Sequence, residues 1–347
     1  MTISHYETPL AFTNLWNSWA DRRMIDHYLI FCDTIFNRYK DVVKYWLTFN
    51  EINCMTLGYW GAWLAGGVIA KNEETNINAA HYQLVASAKA VALGRKINPH
   101  FQFGCMLEMA PCYGYTCDPK DAMAAWIDMH EIFVYGDVQC RGKYPAYKLQ
   151  EWKKKGLHID LSDDDKKVLK EGCVDFAAFS YYMTRVMTTH DDIIKDATLV
   201  NGNLQGGIEN PYLQTSQWGW QIDPVGLRYS LNLLYERYDI PVMVVEIGLG
   251  ALDVIEDGKI HDHYRIQFLK DHIEQMMKAI EEDGVDVLGL YPWGFIDQVS
   301  ASTGEMAKRY GMIYVNKQDD GSGDMRRIKK DSFYWYKQCI ASKGKCL

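Results

Sequence analysis

The sequence predicts an α/β fold built on a mostly parallel β-sheet, and three observations support this fold class. Short β-branched runs alternate with longer amphipathic stretches along the chain, which is the pattern of βαβ units. The predicted strands are apolar almost without interruption, as is typical of a sheet covered on both faces. Polar side chains directly follow several of these strands, at the carboxyl ends where (β/α) barrels place their functional residues.

Five apolar runs are predicted as strands and seven amphipathic stretches as helices. The predicted strands are residues 42–49, 101–109, 174–182, 241–246 and 285–293. The predicted helices are residues 18–38, 76–97, 119–135, 162–170, 223–238, 261–282 and 332–341. Residues 191–216 are rich in Asn, Gly and Gln, and we expect them to form a long loop inside one domain.

Three joints between elements carry capping or turn signals. Ser162 stands three residues before Asp165, a spacing that predicts a capping box at the start of a helix. Gly284 follows an amphipathic stretch and fits the left-handed end of a helix. Residues 319–323 are expected to form the tip of a β-hairpin.

Composition narrows the class of protein. The length of 347 residues, 48% of them hydrophobic, suits one large domain. A formal net charge of −8 argues against nucleic-acid binding, which needs a basic face. No apolar run approaches the roughly 20 residues of a membrane span, and no secretory leader is visible. We therefore expect a cytoplasmic protein that binds neither nucleic acid nor membrane.

Cysteine and histidine patterns do not predict a metal site. Nine cysteines are scattered without a CxxC pair, which predicts reduced thiols rather than a disulfide framework or a zinc site. His261 and His263 have the spacing of metal ligands but lie in a polar segment, so we expect them to be surface residues.

Two glutamates stand at the ends of apolar strands. Glu51 ends the run 46–51, and Glu246 ends the run 241–246. A charge there costs free energy unless it is hydrogen-bonded or used in chemistry. Glycoside cleavage uses two such carboxyl groups, a proton donor and a nucleophile or base. From the residues alone, each glutamate is as well explained as a structural hydrogen-bond anchor. An open doubly wound sheet would also bind its ligand at strand ends, but the glycine-rich phosphate turn is missing.

Five ordered motifs resemble glycoside hydrolase family 1. Residues 48–51 match its TFNE motif, and residues 246–251 are similar to its ENG motif around the nucleophile. Residues 174–182 resemble the strand that ends in NYY, and Trp293 with residues 308–311 resembles the closing strand and the KR[FY]G that follows. His5 resembles the sugar-binding histidine of the family. The motifs occur in family order and cover essentially the whole chain.

The resemblance implies a single (β/α)8 TIM barrel domain over residues 1–347 and a retaining glycosidase. It assigns Glu51 as general acid/base and Glu246 as nucleophile, with carboxyl groups roughly 5 Å apart as retention requires. Asn50 would bind the sugar 2-hydroxyl, and Tyr182 would keep Glu246 ionised by donating its hydroxyl. The other implied sugar contacts are His5, for a ring hydroxyl, and Trp293, as an apolar face. The chemistry needs no metal or organic cofactor. Trp46, Trp218 and Trp220 are left as core or as rim on the aglycone side.

A phosphate pocket is implied by the closing loop. Family members that act on plain glucosides usually carry Glu-Trp where this chain has Ser300 and Ala301. Lys308 supplies a compact cation and Tyr310 a phenolic donor. The set Ser300, Lys308 and Tyr310 resembles the pocket of the 6-phospho-β-glucosidase subgroup, with Ser302 as the alternative serine. The implied reaction is hydrolysis of 6-phospho-β-glucosides to glucose 6-phosphate and an aglycone.

The chain also departs from the family pattern. The histidine motif belongs after the third barrel strand, so we expect the barrel to be incomplete at the N-terminus, with strands one and two missing. That expectation keeps a second reading open, a catalytically dead remnant that at most binds sugar phosphate. A plain β-glucosidase is the third reading, and a homo-oligomer stays open. Ile247 and Ser180 replace family asparagines, and the serine is expected to weaken one hydrogen bond.

Overall fold

The computed structural model describes residues 1–196, 207–301 and 303–347 of the chain. Residue contacts group the chain into two compact units. Unit one consists of Met1–Met109, Ile127–Ser180 and Leu234–Met243, and unit two consists of Ala110–Trp126, Tyr181–Leu233 and Val244–Leu347. The organisation of residues 1–347 as one domain stays a prediction.

The main sheet has six strands, and neighbouring strands in the sheet follow one another in sequence order. They are β1 (Thr2–Ser4), β2 (Tyr45–Phe49), β3 (Gln102–Glu108), β4 (Phe176–Tyr181), β5 (Val242–Ile247) and β6 (Val287–Pro292). The hydrogen-bonded order is β1-β2-β3-β4-β5-β6, and the pairs from β1 to β4 are parallel. Short strands outside this sheet include an antiparallel pair, Ile313–Val315 with Arg327–Lys329.

Eleven helices lie in the described residues. They are α1 (Leu10–Trp16), α2 (Met24–Tyr39), α3 (Gly58–Gly66), α4 (Glu73–Ile97), α5 (Pro119–Arg141), α6 (Ala146–Lys155), α7 (Asp163–Glu171), α8 (Asp191–Asp196), α9 (Pro224–Tyr238), α10 (His263–Glu281) and α11 (Asp331–Ser342). None of these helices is both long and apolar enough to cross a membrane.

The strong sequence signals are confirmed. All five predicted strands are present, with ends shifted by a few residues, and the seven predicted helices correspond to α2, α4, α5, α7, α9, α10 and α11. Ser162 Oγ accepts a hydrogen bond from Asp165 N at 3.0 Å, and the Asp165 carboxylate accepts one from Ser162 N at 3.1 Å, which completes the capping box. Gly284 has a left-handed φ of +75° just after α10.

The expectation of one long loop over residues 191–216 is wrong at both ends. Helix α8 occupies its start, and Gln214–Thr215 near its end pairs with Gln221–Ile222 in a short antiparallel ladder. The asparagine and glycine content of this stretch hid both elements because they are very short. Helix α8 has fewer than two turns, and each strand of the ladder has two residues. The middle of the predicted loop, residues 197–206, lies outside the described residues.

An aromatic cluster fixes strands β2 and β3 in unit one. Trp46 and Phe103 are fully buried, and both contact Phe36 of α2 with ring centroids 4.9 and 5.6 Å apart. A Cβ added at Gly94 of α4 would lie only 2.3 Å from Phe103 Cζ, so the helix packs on the sheet without room for a methyl group. This close packing positions β2, the strand that precedes Glu51.

A network of buried charges ties together the segments of unit two that carry the site. Asp297 accepts hydrogen bonds from Lys330 Nζ at 2.9 Å, from Arg309 at 3.2 Å and from Gly311 N at 2.9 Å. The remaining members are also buried and paired, namely Arg265 with Asp253 and Asp262. We call these six charged residues the Asp297 network. It anchors Arg309 and Gly311, which flank the predicted phosphate ligand Tyr310.

Candidate active site

Glu51 lies just beyond β2 and is oriented by neighbours in unit one. Its φ of +38° is in the left-handed region that non-glycine residues rarely adopt. Its Oε2 accepts a hydrogen bond from the Tyr6 hydroxyl, and its Oε1 accepts one from the Ser180 hydroxyl. The Cys54 thiol lies 3.8 Å from Oε2. We call these four residues the Glu51 cluster. Together the two hydroxyls hold the carboxyl group in one orientation.

His5 and Asn50 lie beside this carboxylate. Asn50 is buried, and its backbone N donates to Ser4 O at 2.9 Å, which joins the ends of β1 and β2. Burial lowers the pKa of the His5 imidazole, while the charge of Glu51 acts in the opposite direction. A neutral imidazole can both donate to and accept from a sugar hydroxyl. The structure therefore brings His5, which only the family resemblance indicated, close to Asn50 and Glu51, which the strand-end pattern indicated.

Glu246 and Tyr182 meet in unit two. Glu246 lies within β5 close to its carboxyl end and is only 7% exposed. The Tyr182 hydroxyl donates to Glu246 Oε2 at 2.9 Å, which is the contact that the family resemblance implied. Trp293 lies next to this segment because its backbone N donates to Ile247 O at 2.8 Å.

Lys308 is surrounded by aromatic rings. Its side chain is buried, with 1% of the residue exposed. The Nζ atom lies 3.8 Å from the ring centroid of Trp220, 5.6 Å from that of Trp218 and 5.8 Å from that of Tyr310. We call these three rings the Lys308 cage. Burial lowers the pKa of the Lys308 ammonium to about 8, and the nearby charge of Glu305 opposes that shift. At pH 7 the group is therefore a desolvated cation.

The two candidate phosphate serines differ in what the structure says of them. Ser300 is buried, and its backbone N donates to Glu305 O at 2.9 Å. Ser302 lies outside the described residues. Tyr310 is buried, and its ring packs against Gly248, two residues after Glu246. A Cβ added at Gly248 would lie only 3.1 Å from the Tyr310 ring. Lys308 and Tyr310 thus share a unit with Glu246 and Tyr182.

Sequence reasoning missed several members of the site. Tyr6 follows His5 directly at the end of a strand, and that position was the available signal. Ser180, expected to weaken a hydrogen bond, donates one to Glu51 instead. Of the three tryptophans left as core or rim, Trp46 is core, whereas Trp218 and Trp220 form part of the Lys308 cage.

His261 and His263 lie at the surface, as predicted. Both side chains are exposed, and His261 Nδ1 lies 2.7 Å from Asp331 Oδ2. Their ring nitrogens and the Asp331 carboxylate fall within 4.8 Å of one another. This exposed contact links the start of α10 to the start of α11.

Comparison with known proteins agrees with this geometry. The family described as glycosyl hydrolase family 1 matches residues 1–345. The chain belongs to glycosyl hydrolase family 1. It is therefore a glycoside hydrolase, and the predicted (β/α)8-barrel fold class is confirmed by its family and its structural neighbours.

Relatives within family 1 carry informative names. The aryl-phospho-beta-D-glucosidase BglA of Bacillus subtilis is 48% identical over 99% of this chain and 73% of its own length. The 6-phospho-beta-glucosidase of Clostridium longisporum is 46% identical over 100% of this chain and 74% of its own length. A beta-glucosidase from Thermotoga maritima in complex with galacto-hydroximolactam superposes with a TM-score of 0.82 at 26% identity, over 99% of this chain and 73% of that one.

Proposed function

We propose that this family 1 chain hydrolyses 6-phospho-β-D-glucosides to glucose 6-phosphate and an aglycone, as a step of carbohydrate catabolism. The observation that carries the proposal is Lys308, a buried cation in the same unit as Glu246. A lysine ammonium is a compact cation with three donors, which suits the oxygens of a 6-phosphate. The phospho-β-glucosidase names of relatives at 45–48% identity support the same substrate class.

The two glutamates perform a double displacement. Glu246 attacks the anomeric carbon and forms a covalent glycosyl ester, while Glu51 gives a proton to the departing glycosidic oxygen. Water then attacks the same carbon and loses its proton to Glu51, and the bond to Glu246 breaks. Two inversions give net retention. Tyr182 orients Glu246 by its hydrogen bond, and Tyr6 and Ser180 orient Glu51.

The sugar is held by groups on both carboxylate segments. Asn50 binds the 2-hydroxyl, where contacts strengthen in the oxocarbenium-like transition state. His5 binds a ring hydroxyl, and Trp293 packs on the apolar face of the pyranose. Lys308, Tyr310 and Ser300 bind the 6-phosphate. The net charge of −8 does not oppose this binding strongly, because exposed charges beyond roughly 8–10 Å are screened.

Chemical rescue separates the roles of the two glutamates. Glu246→Ala lacks the nucleophile, so added azide should attack from the free face and give an α-glycosyl azide. Glu51→Ala still forms the covalent intermediate with an activated aryl substrate, so azide should give a β-glycosyl azide. If the α-azide came from Glu51→Ala and the β-azide from Glu246→Ala, the roles of the two glutamates would be reversed. If azide rescued neither variant, the result would contradict a catalytic role for both glutamates.

The phosphate ligands are tested by selectivity. Lys308→Ala should raise KM for p-nitrophenyl β-glucoside 6-phosphate far more than for the unphosphorylated analogue. Ser300→Ala and Ser302→Ala, compared side by side, decide which serine contacts the phosphate. Equal rates of the parent chain on both substrates would instead favour a plain β-glucosidase, the activity named for the Thermotoga neighbour.

The proposed place of action is the cytoplasm, and the substrate is a small phosphorylated sugar. All nine cysteines are free thiols, five of them buried. Free thiols are typical of proteins in a reducing compartment.

A further inference from the structure

We propose that Trp220 is a positioning residue for phosphate recognition, because its indole face holds the ammonium of Lys308 by a cation–π contact. The proposal rests on the proposed function and deepens it by adding a specificity-determining residue. Trp220 was not assigned to phosphate binding by the sequence motifs, which name only Ser300, Lys308 and Tyr310.

The contact between the two side chains is close. Lys308 Nζ stands 3.8 Å from the Trp220 ring centroid, well inside the roughly 6 Å limit for an energetically useful cation–π pair. Tryptophan is the best aromatic partner for a cation, and the attraction grows when water is excluded. Lys308 is almost fully buried, so the conditions for a strong contact are met.

Lys308 needs such a contact because its side chain is intrinsically flexible. A lysine has a four-carbon stem and three rotatable donors, unlike the planar fork of arginine. The stem packs against Gly250, where an added Cβ would meet Lys308 Cε and Cγ at 2.9 Å. Gly250 thus contacts the stem and Trp220 contacts the head, so both ends of the side chain are confined by neighbours.

Trp220 is itself held by a tight turn. Ser216 N donates to Trp220 O at 2.7 Å, and Gly219, with a left-handed φ of +72°, donates to Ser216 O at 2.9 Å. The Ser216 hydroxyl accepts from the backbone N of Trp220 at 3.2 Å. The turn joins the two strands of a short hairpin. It therefore fixes the backbone from which the indole ring projects.

The indole of Trp220 contacts Lys308 through its ring face and not through its N–H group. Its Nε1 is buried and has no hydrogen-bond partner among the described residues, whereas the Nε1 of Trp218 donates to Glu305 Oε2 at 3.0 Å. Trp220 also packs edge-on against Tyr182, with ring centroids 5.6 Å apart. Loss of the ring could thus act on phosphate binding through Lys308 or on catalysis through Tyr182, and the test must separate these routes.

A double-mutant cycle on two substrates separates them. The full chain, Trp220→Leu, Trp220→Phe, Lys308→Ala and the double variant Trp220→Leu/Lys308→Ala are compared on p-nitrophenyl β-glucoside 6-phosphate and on p-nitrophenyl β-glucoside. Trp220→Leu should raise KM for the phosphorylated substrate and lower the phosphorylated-to-plain ratio of kcat/KM by on the order of tenfold. Trp220→Phe keeps a π face and should recover most of the ratio. In the Lys308→Ala background, Trp220→Leu should not lower the ratio further.

Trp152→Leu is the matched control, because Trp152 lies 5.9 Å from Lys148 Nζ in a cation–π pair outside the site. Its selectivity ratio should equal that of the parent chain. Equal losses on both substrates in Trp220→Leu, or an undiminished effect in the Lys308→Ala background, would overturn the inference alone. A parent chain that does not distinguish the two substrates would overturn the proposed function, and this inference with it.

Discussion

At the scale of single residues, the Glu51 cluster shows how neighbouring side chains orient a carboxyl group that follows a strand. Glu51 has a left-handed backbone conformation, and such conformations cost free energy and persist where the surroundings hold them. Hydroxyls from Tyr6 and Ser180 hold its two oxygens. The position of Glu51 is therefore imposed by neighbours rather than by local preference, and those neighbours are testable.

Removal of either hydroxyl should slow the chemistry without changing substrate selectivity. Tyr6→Phe or Ser180→Ala each deletes one hydrogen bond that orients the Glu51 carboxyl group, so kcat should fall by roughly 10- to 100-fold. Because Glu51 acts at the glycosidic oxygen, the fall should be similar for phosphorylated and plain p-nitrophenyl glucosides. Steady-state kinetics on both substrates measure it. A loss confined to the phosphorylated substrate would contradict this role.

Lys308 predicts an alkaline limit to phosphate recognition. Its pKa is lowered to about 8 by burial, so the cation loses its charge as the pH rises through that value. The phosphate of the substrate stays doubly charged there, since its second pKa is about 6. The ratio of kcat/KM for phosphorylated over plain substrate should therefore fall above about pH 8.

Arginine is the matched replacement for this test. Lys308→Arg keeps its charge far above pH 8, so its selectivity ratio, whatever its value at pH 7, should stay flat as the pH rises. Taking the ratio of two substrates cancels the titration of the two glutamates. A flat ratio in the parent chain would show that Lys308 does not carry the attraction.

At the scale of elements, the Asp297 network joins the start of α11 to the segment that carries Lys308 and Tyr310. Lys330 is fully buried and pairs with Asp297 and Asp253. Replacing one partner of a buried ion pair leaves the others uncompensated. The network therefore couples the stability of unit two to the geometry of residues 308–310, which include the predicted phosphate ligands Lys308 and Tyr310.

Lys330→Met should lower the free energy of unfolding by about 3–5 kcal/mol. The neighbouring Lys329 is exposed, so Lys329→Met is a matched control and should change stability by less than about 0.5 kcal/mol. Urea unfolding followed by tryptophan fluorescence measures both variants. Equal stability of the two variants would show that the buried pairs do not stabilise this unit.

Elements also show which features the sequence could predict. Strands β2 to β5 were predictable because they are buried, nearly continuous apolar runs, and β6 because it is an apolar run as well, although it is only partly buried. Helix α7 was predictable because a serine and an aspartate form its capping box. Helix α3 was missed because Gly58–Gly66 is glycine-rich and apolar on all sides, so it has no amphipathic period. Strand β1 was missed because three residues carry no pattern.

Residues of the candidate site were predictable where a short motif identifies them. They were not predictable where only contacts between distant segments bring a residue to the site. Glu51, Glu246 and the hydrogen bond from Tyr182 follow from short local motifs. The hydroxyl of Tyr6 and the ring of Trp220 reach the site only through contacts between segments far apart in the chain. Spacing along the sequence therefore could not reveal the Lys308 cage.

At the scale of the whole molecule, an acidic chain is proposed to take an anionic substrate. The formal net charge is −8, yet we propose that recognition of the phosphate depends on one buried cation and its neighbours, where screening by salt is weak. The chain matches 73–74% of the length of the phospho-glucosidase relatives described above. Activity of this chain itself is therefore the claim on which the account depends.

The most direct test is turnover of p-nitrophenyl β-glucoside 6-phosphate by the purified chain, beside p-nitrophenyl β-glucoside and a Glu246→Gln control. We expect hydrolysis that favours the phosphorylated substrate and disappears in Glu246→Gln. Absence of turnover by a cooperatively folded chain would contradict it and favour a remnant that at most binds sugar phosphate. Turnover that survives in Glu246→Gln would contradict the assignment of the nucleophile.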